Sequence, residues 1–334
     1  MLVEFPFSFG FSLQWALIKS YAIANGTQLL VRTRRLTDEK IVGKRGEDTG
    51  IILYEVLFSG IDTERGRRAL AKMNWIHARY GEAITNGDLI HTLALFVLEP
   101  FRFINRFEWR KLKRIEEVAL FQYWKEVGYR MGMTNIPETL DDLVVWTKEY
   151  EDKNMKYSLN NAKCYSATVN LFLRHLPPWT QTTAKKLADS MLEDYVQPHL
   201  GVQRPPNWAY RIVNGFFISR AFFVRYFMLP RFRPMIVVLE GPEGRLQRKK
   251  FAFEPWYVPE TIWTRLQRRL GLGGKYVPGP EYKSEGYYPE ELGPKEFEKS
   301  SKDAVLLQAS QLKEYSERGG AEGMGCPFAF ARGT

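Results

Sequence analysis

Cysteine and histidine are scarce in this chain. Its 334 residues include two cysteines, Cys164 and Cys326, and four histidines, His77, His91, His175 and His199. Two thiols cannot build a disulfide scaffold. A Cys-based zinc or iron–sulfur site would need more ligands. Long apolar runs are also missing. Phe5–Ile23 is apolar, but Gln14 and Lys19 interrupt it, and it has neither a basic start nor a small-residue cleavage site. Gly215–Pro230 is rich in Phe, yet Arg220 and Arg225 break it, and it is too short to cross about 30 Å of hydrocarbon. Strand-like alternation is nearly absent, and Met235–Glu240 is the best candidate. No Ser/His/Asp spacing, HExxH pair or phosphate-cradling glycine loop after a strand is present. No internal repeat is visible.

What remains reads as helix. Hydrophobic residues make up 45% and charged residues 26%, a globular composition. Helical spacing or strong helix formers run through 11–31, 39–58, 62–85, 88–106, 114–132, 137–152, 158–176, 180–197 and 207–229. Start signals support several of these: Asp62 ahead of Thr63-Glu64, Asn86-Gly87-Asp88, and Pro137-Glu138. After residue 234 Gly, Pro, Lys and Arg become frequent, with one more helix expected over 259–270. The expected fold class is all-α: one large helical bundle over 1–234, an irregular basic extension over 235–300 packed on it, and a polar helix and flexible tail over 301–334.

The net charge of +10 has an address. Residues 201–275 hold 14 Lys+Arg against 4 Asp+Glu, which accounts for the whole excess. Arg211, Arg220, Arg225, Arg231 and Arg233 stand among Phe216, Phe217, Phe222, Phe223, Tyr226 and Phe227. Two readings stand for 211–233: a membrane surface, where rings sit at headgroup depth and cations reach anionic lipid, or a core helix with solvated arginines. Nucleic acid is not the expected partner, because no recognition helix or stacking sheet accompanies the basic residues.

Candidate chemistry begins with His77. On a helix it shares a stripe with Leu70, Met73, Tyr80, Gly81 and Ile84, while Lys72, Arg79 and Glu82 lie opposite. An inward imidazole must be hydrogen-bonded or bound to a metal. Gly81 removes a side chain and leaves room for a large flat group. A haem ligand and a satisfied core histidine both fit that pattern. His91 lies in an apolar helix and reads as a satisfied core polar group. His175 suits a helix C-terminus and His199 a turn. In Lys44-Arg45-Gly46-Glu47-Asp48-Thr49, Arg45 and Thr49 share a helical face leading into Ile51-Ile52-Leu53. Arg45 either holds a cofactor carboxylate, with Asp48 and Thr49 near bound oxygen, or forms a surface pair. Glu99-Pro100, Trp109-Arg110, Glu116 and Tyr150-Glu151 read as ion pairs locking helices together.

Several runs, taken in order, carry a resemblance. They are Phe5-Pro6-Phe7; Thr33-Arg34-Arg35-Leu36; Lys44 to Thr49; His77-Ala78-Arg79-Tyr80; Asn86-Gly87-Asp88-Leu89-Ile90-His91-Thr92-Leu93-Ala94-Leu95-Phe96; Pro100-Phe101-Arg102-Phe103-Ile104; Glu108-Trp109-Arg110; Gly286-Tyr287-Tyr288-Pro289-Glu290; and Gly293-Pro294. From about residue 4 to about residue 298 the chain resembles the fungal MpaB-like oxygenases, related to the rubber oxygenase (latex-clearing protein) superfamily. The resemblance implies an all-α, partly globin-like core around haem b. It implies oxidative cleavage of a carbon–carbon double bond in an isoprenoid or terpenoid substrate by O2. It makes His77 the proximal iron ligand and places Arg45 and Thr49 in the haem pocket. The rubber-cleaving branch carries an iron-ligating Lys where this chain has Asp48, so an open sixth site or a water is expected there. Where His91 stands the family carries Tyr, so His91 is not expected to be a shared ligand. Association with the endoplasmic reticulum membrane is also implied, through an N-terminal helix expected to precede Met1. Whether a redox partner supplies electrons is not legible in the sequence. The alternative from another class is a non-catalytic helical protein that docks on membranes.

Overall fold

Helix is the state in which a chain with so few β-branched alternations can satisfy its backbone. In the computed structural model, which describes residues 1–272, 274, 276–298 and 300–320, twelve α-helices follow one another. They are α1 (Pro6–Ser20), α2 (Ala24–Arg32), α3 (Val42–Tyr54), α4 (Glu64–Ala78), α5 (Asn86–Phe107), α6 (Arg114–Arg130), α7 (Leu140–Asn154), α8 (Leu159–Leu173), α9 (Pro178–Asp189), α10 (Asn207–Phe227), α11 (Ile262–Arg269) and α12 (Lys302–Glu317). The only sheet among the described residues pairs β1 (Val238–Glu240) with β2 (Leu246–Arg248), antiparallel. The all-α class expected from the sequence is what the structure has.

The described residues divide into two compact units, one within 1–37 and 81–234, the other within 38–80 and 235–320. This differs from the boundary expected at residue 234. Residues 235–320 are not an appendage to a bundle; they build one unit with α3 and α4.

In the first unit α5 is the central helix. Leu89, Ile90, Leu93, Ala94, Leu95, Val97, Phe103 and Ile104 are all buried. Its start is fixed by a capping box: Thr85 accepts from the Asp88 amide, and the Asp88 side chain accepts from the Thr85 amide. The cap is therefore Thr85, one residue ahead of the Asn86-Gly87-Asp88 signal. Helix α6 approaches α5 closely at Gly128, where a Cβ would come within 2.7 Å of Leu93 Cδ1 and Ile136 Cδ1. Phe96 stacks on Trp124 with centroids 4.8 Å apart. Two of the motif runs meet here, with the Phe5 and Trp109 rings 6.1 Å apart and Arg110 Nε donating to Glu4 Oε1 across 2.7 Å. Arg110 also pairs with Glu116 at 2.8 Å.

Polar groups inside this unit are grouped. Lys19 Nζ lies 3.5, 3.4 and 3.3 Å from Glu99, Glu151 and Glu193, and 2.6 Å from the Tyr195 hydroxyl. Arg102 donates to Glu99 through Nε and Nη2 at 2.8 and 2.6 Å. His91 Nε2 is 3.2 Å from Glu151 Oε1, which makes His91 a satisfied core histidine, as read from the sequence. Glu99 and Glu151 are the interhelical pairs expected there, and Tyr150 donates to Asp88 at 3.0 Å.

In the second unit α3 passes into a π-helical turn, Glu55–Ser59, and α4 follows. The core gathers Ile51, Ile52, Val238, Leu246, Trp256, Tyr257, Tyr287 and Leu292. Helix α12 lays Val305, Ala309, Leu312 and Tyr315 inward and packs on α4. This is the terminal helix expected from the sequence, and it has an apolar face, because its apolar positions recur at three and four residues. Residues 321–334 of the expected tail, Cys326 included, lie outside the described residues.

Candidate functional site

The site is built on α3 and α4 of the second unit. Two adjacent faces of α3 do different things. Lys44, Asp48, Ile51 and Glu55 point inward and are buried. Arg45 and Thr49, one position on in each turn, are half-buried.

The inward face is fully engaged. Asp48 Oδ1 accepts from the Tyr257 hydroxyl at 2.9 Å. Its Oδ2 accepts from Lys44 Nζ at 2.7 Å and from the Gly293 amide at 3.1 Å. Lys44 also donates to the Gly293 carbonyl at 2.7 Å. Gly293 has φ +95°, and a Cβ there would stand 3.0 Å from Ile76 Cδ1, so this joint favours glycine. Burial pushes the Asp48 carboxyl above its ordinary value, while Lys44, Tyr257 and Gly293 hold it back. Glu47 accepts the amides of Ala252, Phe253 and Glu254 at 2.8, 2.6 and 3.2 Å and pairs with Arg248. Glu55 accepts from Tyr287 at 2.8 Å and from Arg65 at 2.8 and 3.0 Å. Every acidic group on this side of α3 is thus met by at least one residue between 248 and 293.

The structure therefore separates Asp48 from Arg45 and Thr49. Asp48 was expected beside bound oxygen; both of its oxygens are instead tied to Lys44, Tyr257 and Gly293. The physical reason is the helical period: Asp48 follows Lys44 by four residues, while Thr49 follows Arg45.

Helix α4 carries His77 in its last turn, half-buried, with Nδ1 shielded from solvent. The inward face expected for α4 holds at Leu70 but weakens toward His77. Lys72, expected on the solvent side, is fully buried, donating to Ser301 Oγ at 2.7 Å and to the Phe297 carbonyl at 3.3 Å. Residues 289–312 cover that second side of α4, which no local pattern announces. Burial lowers the Lys72 amine to about 8. Arg79 lies over the Trp75 and Phe297 rings at 4.7 and 4.5 Å. Gly81 is not on the His77 stripe, because α4 ends at Ala78; it has φ +48° and falls in the other compact unit.

Haem, as the sequence resemblance implies it, asks for an imidazole and for a cation to meet its propionates. Among the described residues Arg45 has no carboxylate, carbonyl or ring partner, although it is half-buried. A half-buried guanidinium without an internal counter-charge fits an external anion. His77 supplies the imidazole in the same unit. Among the described residues no cluster of three or more His, Cys, Asp or Glu could hold a bare metal ion. Arg45 on α3 and His77 on α4 are thus the two side-chain types that such a group asks for, both within the second unit. Lys44, Lys72, Tyr257 and Gly293 escaped the sequence reading as site supports; the one local signal was the Lys44–Asp48 spacing.

Comparison with known proteins gives a consistent answer. A family model described as ER-bound oxygenase mpaB/B′/rubber oxygenase, catalytic domain, matches residues 22–235. ER-bound oxygenase mpaB′ of Penicillium brevicompactum is 27% identical over 336 aligned residues, covering 93% of this chain and 79% of the relative. ER-bound oxygenase mpaB of the same organism is 27% identical, covering 79% of this chain and 65% of the relative. ER-bound oxygenase mpaB of Penicillium roqueforti (strain FM164) is 28% identical, covering 58% and 69%.

Proposed function

Because the chain belongs to the ER-bound oxygenase mpaB/rubber oxygenase catalytic-domain family, we propose that it is a haem-dependent oxygenase acting on a carbon–carbon double bond of an isoprenoid or terpenoid substrate. The chain is an oxidoreductase of the oxygenase class, and the non-catalytic alternative falls away. The observation that carries the cofactor reading is the half-buried, internally unpaired Arg45 on the α3 face it shares with Thr49.

When bound, haem supplies the redox chemistry that activates dioxygen. His77 would hold the iron through an imidazole nitrogen. Arg45 would pair with a propionate, and Thr49 would offer a hydroxyl on the same face. Asp48 stays out of the reaction and fixes the orientation of α3. Oxygen transfer to an electron-rich alkene needs no protein nucleophile. Membrane association of the ER type is part of this reading, since its relatives are named ER-bound. No described helix is long and apolar enough to cross a membrane.

The test is an absorption spectrum of the purified, haem-supplemented protein under air and under reductant. A Soret band that shifts on reduction and is lost in His77→Ala supports the reading. Folded protein that stays colourless overturns it. Incubation of prenylated terpenoids with isotope-labelled dioxygen then reports whether label enters a cleaved carbonyl product.

A further inference from the structure

Helix α10 buries only its first half. Ala209, Val213 and Phe217 recur every fourth residue and face inward. Phe217 stacks on Phe107 with centroids 4.4 Å apart. Beyond Phe217 no residue of the helix is fully buried. Ile218, Phe222, Phe223, Tyr226 and Phe227 are all exposed, and Leu229 and Phe232 just after it are 87% and 89% exposed. Such a run of large apolar side chains in water calls for an occupant.

Charge identifies that occupant. Between residues 195 and 239 the chain has six arginines and no Lys, Asp or Glu. Arg220 is used internally, pairing with Glu108 at 2.8 Å and lying 4.5 Å over the Phe7 ring. Arg225, Arg231 and Arg233 are exposed, and among the described residues no carboxylate meets them. A second copy of this face would bring like charge against like charge. The ten helical residues after Phe217 span about 15 Å, half the hydrocarbon thickness, so this segment can lie in an interface but not traverse it.

We propose that the segment Ile218–Arg233 is a peripheral docking surface for an anionic lipid bilayer, with Phe222, Phe223 and Phe227 in the headgroup boundary and Arg225, Arg231 and Arg233 on lipid phosphates. Its residues belong to the first unit, whereas Arg45 and His77 belong to the second. It gives membrane association a defined address outside any spanning helix.

Sedimentation of the full chain with phosphatidylcholine vesicles, with and without phosphatidylserine, tests this. The triple variant Arg225→Gln/Arg231→Gln/Arg233→Gln should lose roughly a hundredfold in partition to phosphatidylserine vesicles, about fivefold per arginine. It should also lose salt sensitivity. Phe222→Ser/Phe223→Ser/Phe227→Ser should weaken partition to both vesicle types. Melting temperature and any haem spectrum should be unchanged in both, because the altered side chains are exposed. Undiminished vesicle binding by both variants overturns the proposal. So does a wild-type protein that ignores vesicles but forms a dimer that the phenylalanine variant disperses.

Discussion

Tyr257 donates its phenolic hydrogen to Asp48 across 2.9 Å, joining residues 209 positions apart. Both groups are buried, so the bond is unscreened by water. Asp48→Ala would take from buried Lys44 its close counter-charge at 2.7 Å and leave it only Glu298 at 3.8 Å, a loss of about 3–5 kcal/mol. Tyr257→Phe removes one hydrogen bond while Lys44 and Gly293 still hold the carboxylate, so about 1–3 kcal/mol is expected. Urea unfolding measures both. A catalytic Asp48 would behave differently: Asp48→Asn would abolish turnover in a protein of unchanged stability.

Arg45 calls for the opposite pattern. With no internal partner, it contributes little to the stability of the cofactor-free chain, and Arg45→Leu should leave that melting temperature within about 2–4 °C, as for a surface change. Cofactor retention should fall, because the propionate would face an apolar side chain. Arg45→Lys should restore part of it, since a point charge replaces a planar fork. The ratio of Soret to protein absorbance after gel filtration reads the difference. Equal retention in all three proteins would remove Arg45 from the site.

Much of the fold was legible because helices are local. The spacing that placed helices at 114–132, 158–176 and 207–229 needs only neighbours within one turn, and α6, α8 and α10 lie there. The single helix expected over 11–31 is two, α1 and α2, broken between Ser20 and Ala24 with no Gly or Pro to mark the break. The unit boundary was not legible in any local pattern. It depends on Glu47, Asp48, Glu55 and Lys72 finding partners around 200 residues downstream. The resemblance carried a trace of it, since Tyr287 and Gly293 belong to motif runs whose purpose the sequence alone did not explain. In the structure they bind Glu55 and Asp48.

Lys72 gives the second unit a pH signature. Its amine is lowered by burial from 10.5 to about 8, with Lys44 adding repulsion and Asp48, Glu298 and Glu290 opposing it. Below pH 8 it is protonated whether folded or not, and the burial cost is fully present. Between about pH 8 and 10.5 the unfolded chain binds the extra proton, so the contribution of Lys72 to stability rises with pH. Lys72→Met should therefore stabilise at pH 7 by up to about 3 kcal/mol. The gain over wild type should shrink as pH climbs to 10. A gain independent of pH would mean that the amine is not depressed.

Helix α12 should be indispensable to α4. Removing residues 301–334 strips Val305, Ala309, Leu312 and Tyr315 from it and takes Ser301 from Lys72. Losing several buried apolar side chains of this kind costs about 1.5–3 kcal/mol each, more than a marginally stable unit can spare. The truncated protein should show fast amide exchange throughout α4 and fail to retain haem. Protection of α4 as strong as in the full chain would show the helix to be dispensable.

Lys19 holds together three carboxylates that would otherwise repel. Its own amine is raised: burial alone would lower it, but Glu193, Glu99 and Glu151 outweigh that. Burial raises the Glu99 carboxyl, whereas Glu151 stays below its ordinary value because His91 and Lys19 overcome its burial. Lys19→Met would leave the acids with Arg102, His91 and the Tyr195 hydroxyl but without their shared cation, at a cost of about 3–5 kcal/mol near neutral pH. Without Lys19 the carboxyl values climb, so protonating them relieves the variant, while in wild type protonating Glu151 removes stability. The stability gap between the two proteins should accordingly narrow as pH falls from 7 toward 4. Thermal melts at stepped pH resolve this. A gap that stayed constant would show that Lys19 stabilises the first unit by packing its stem against α5 and not by charge.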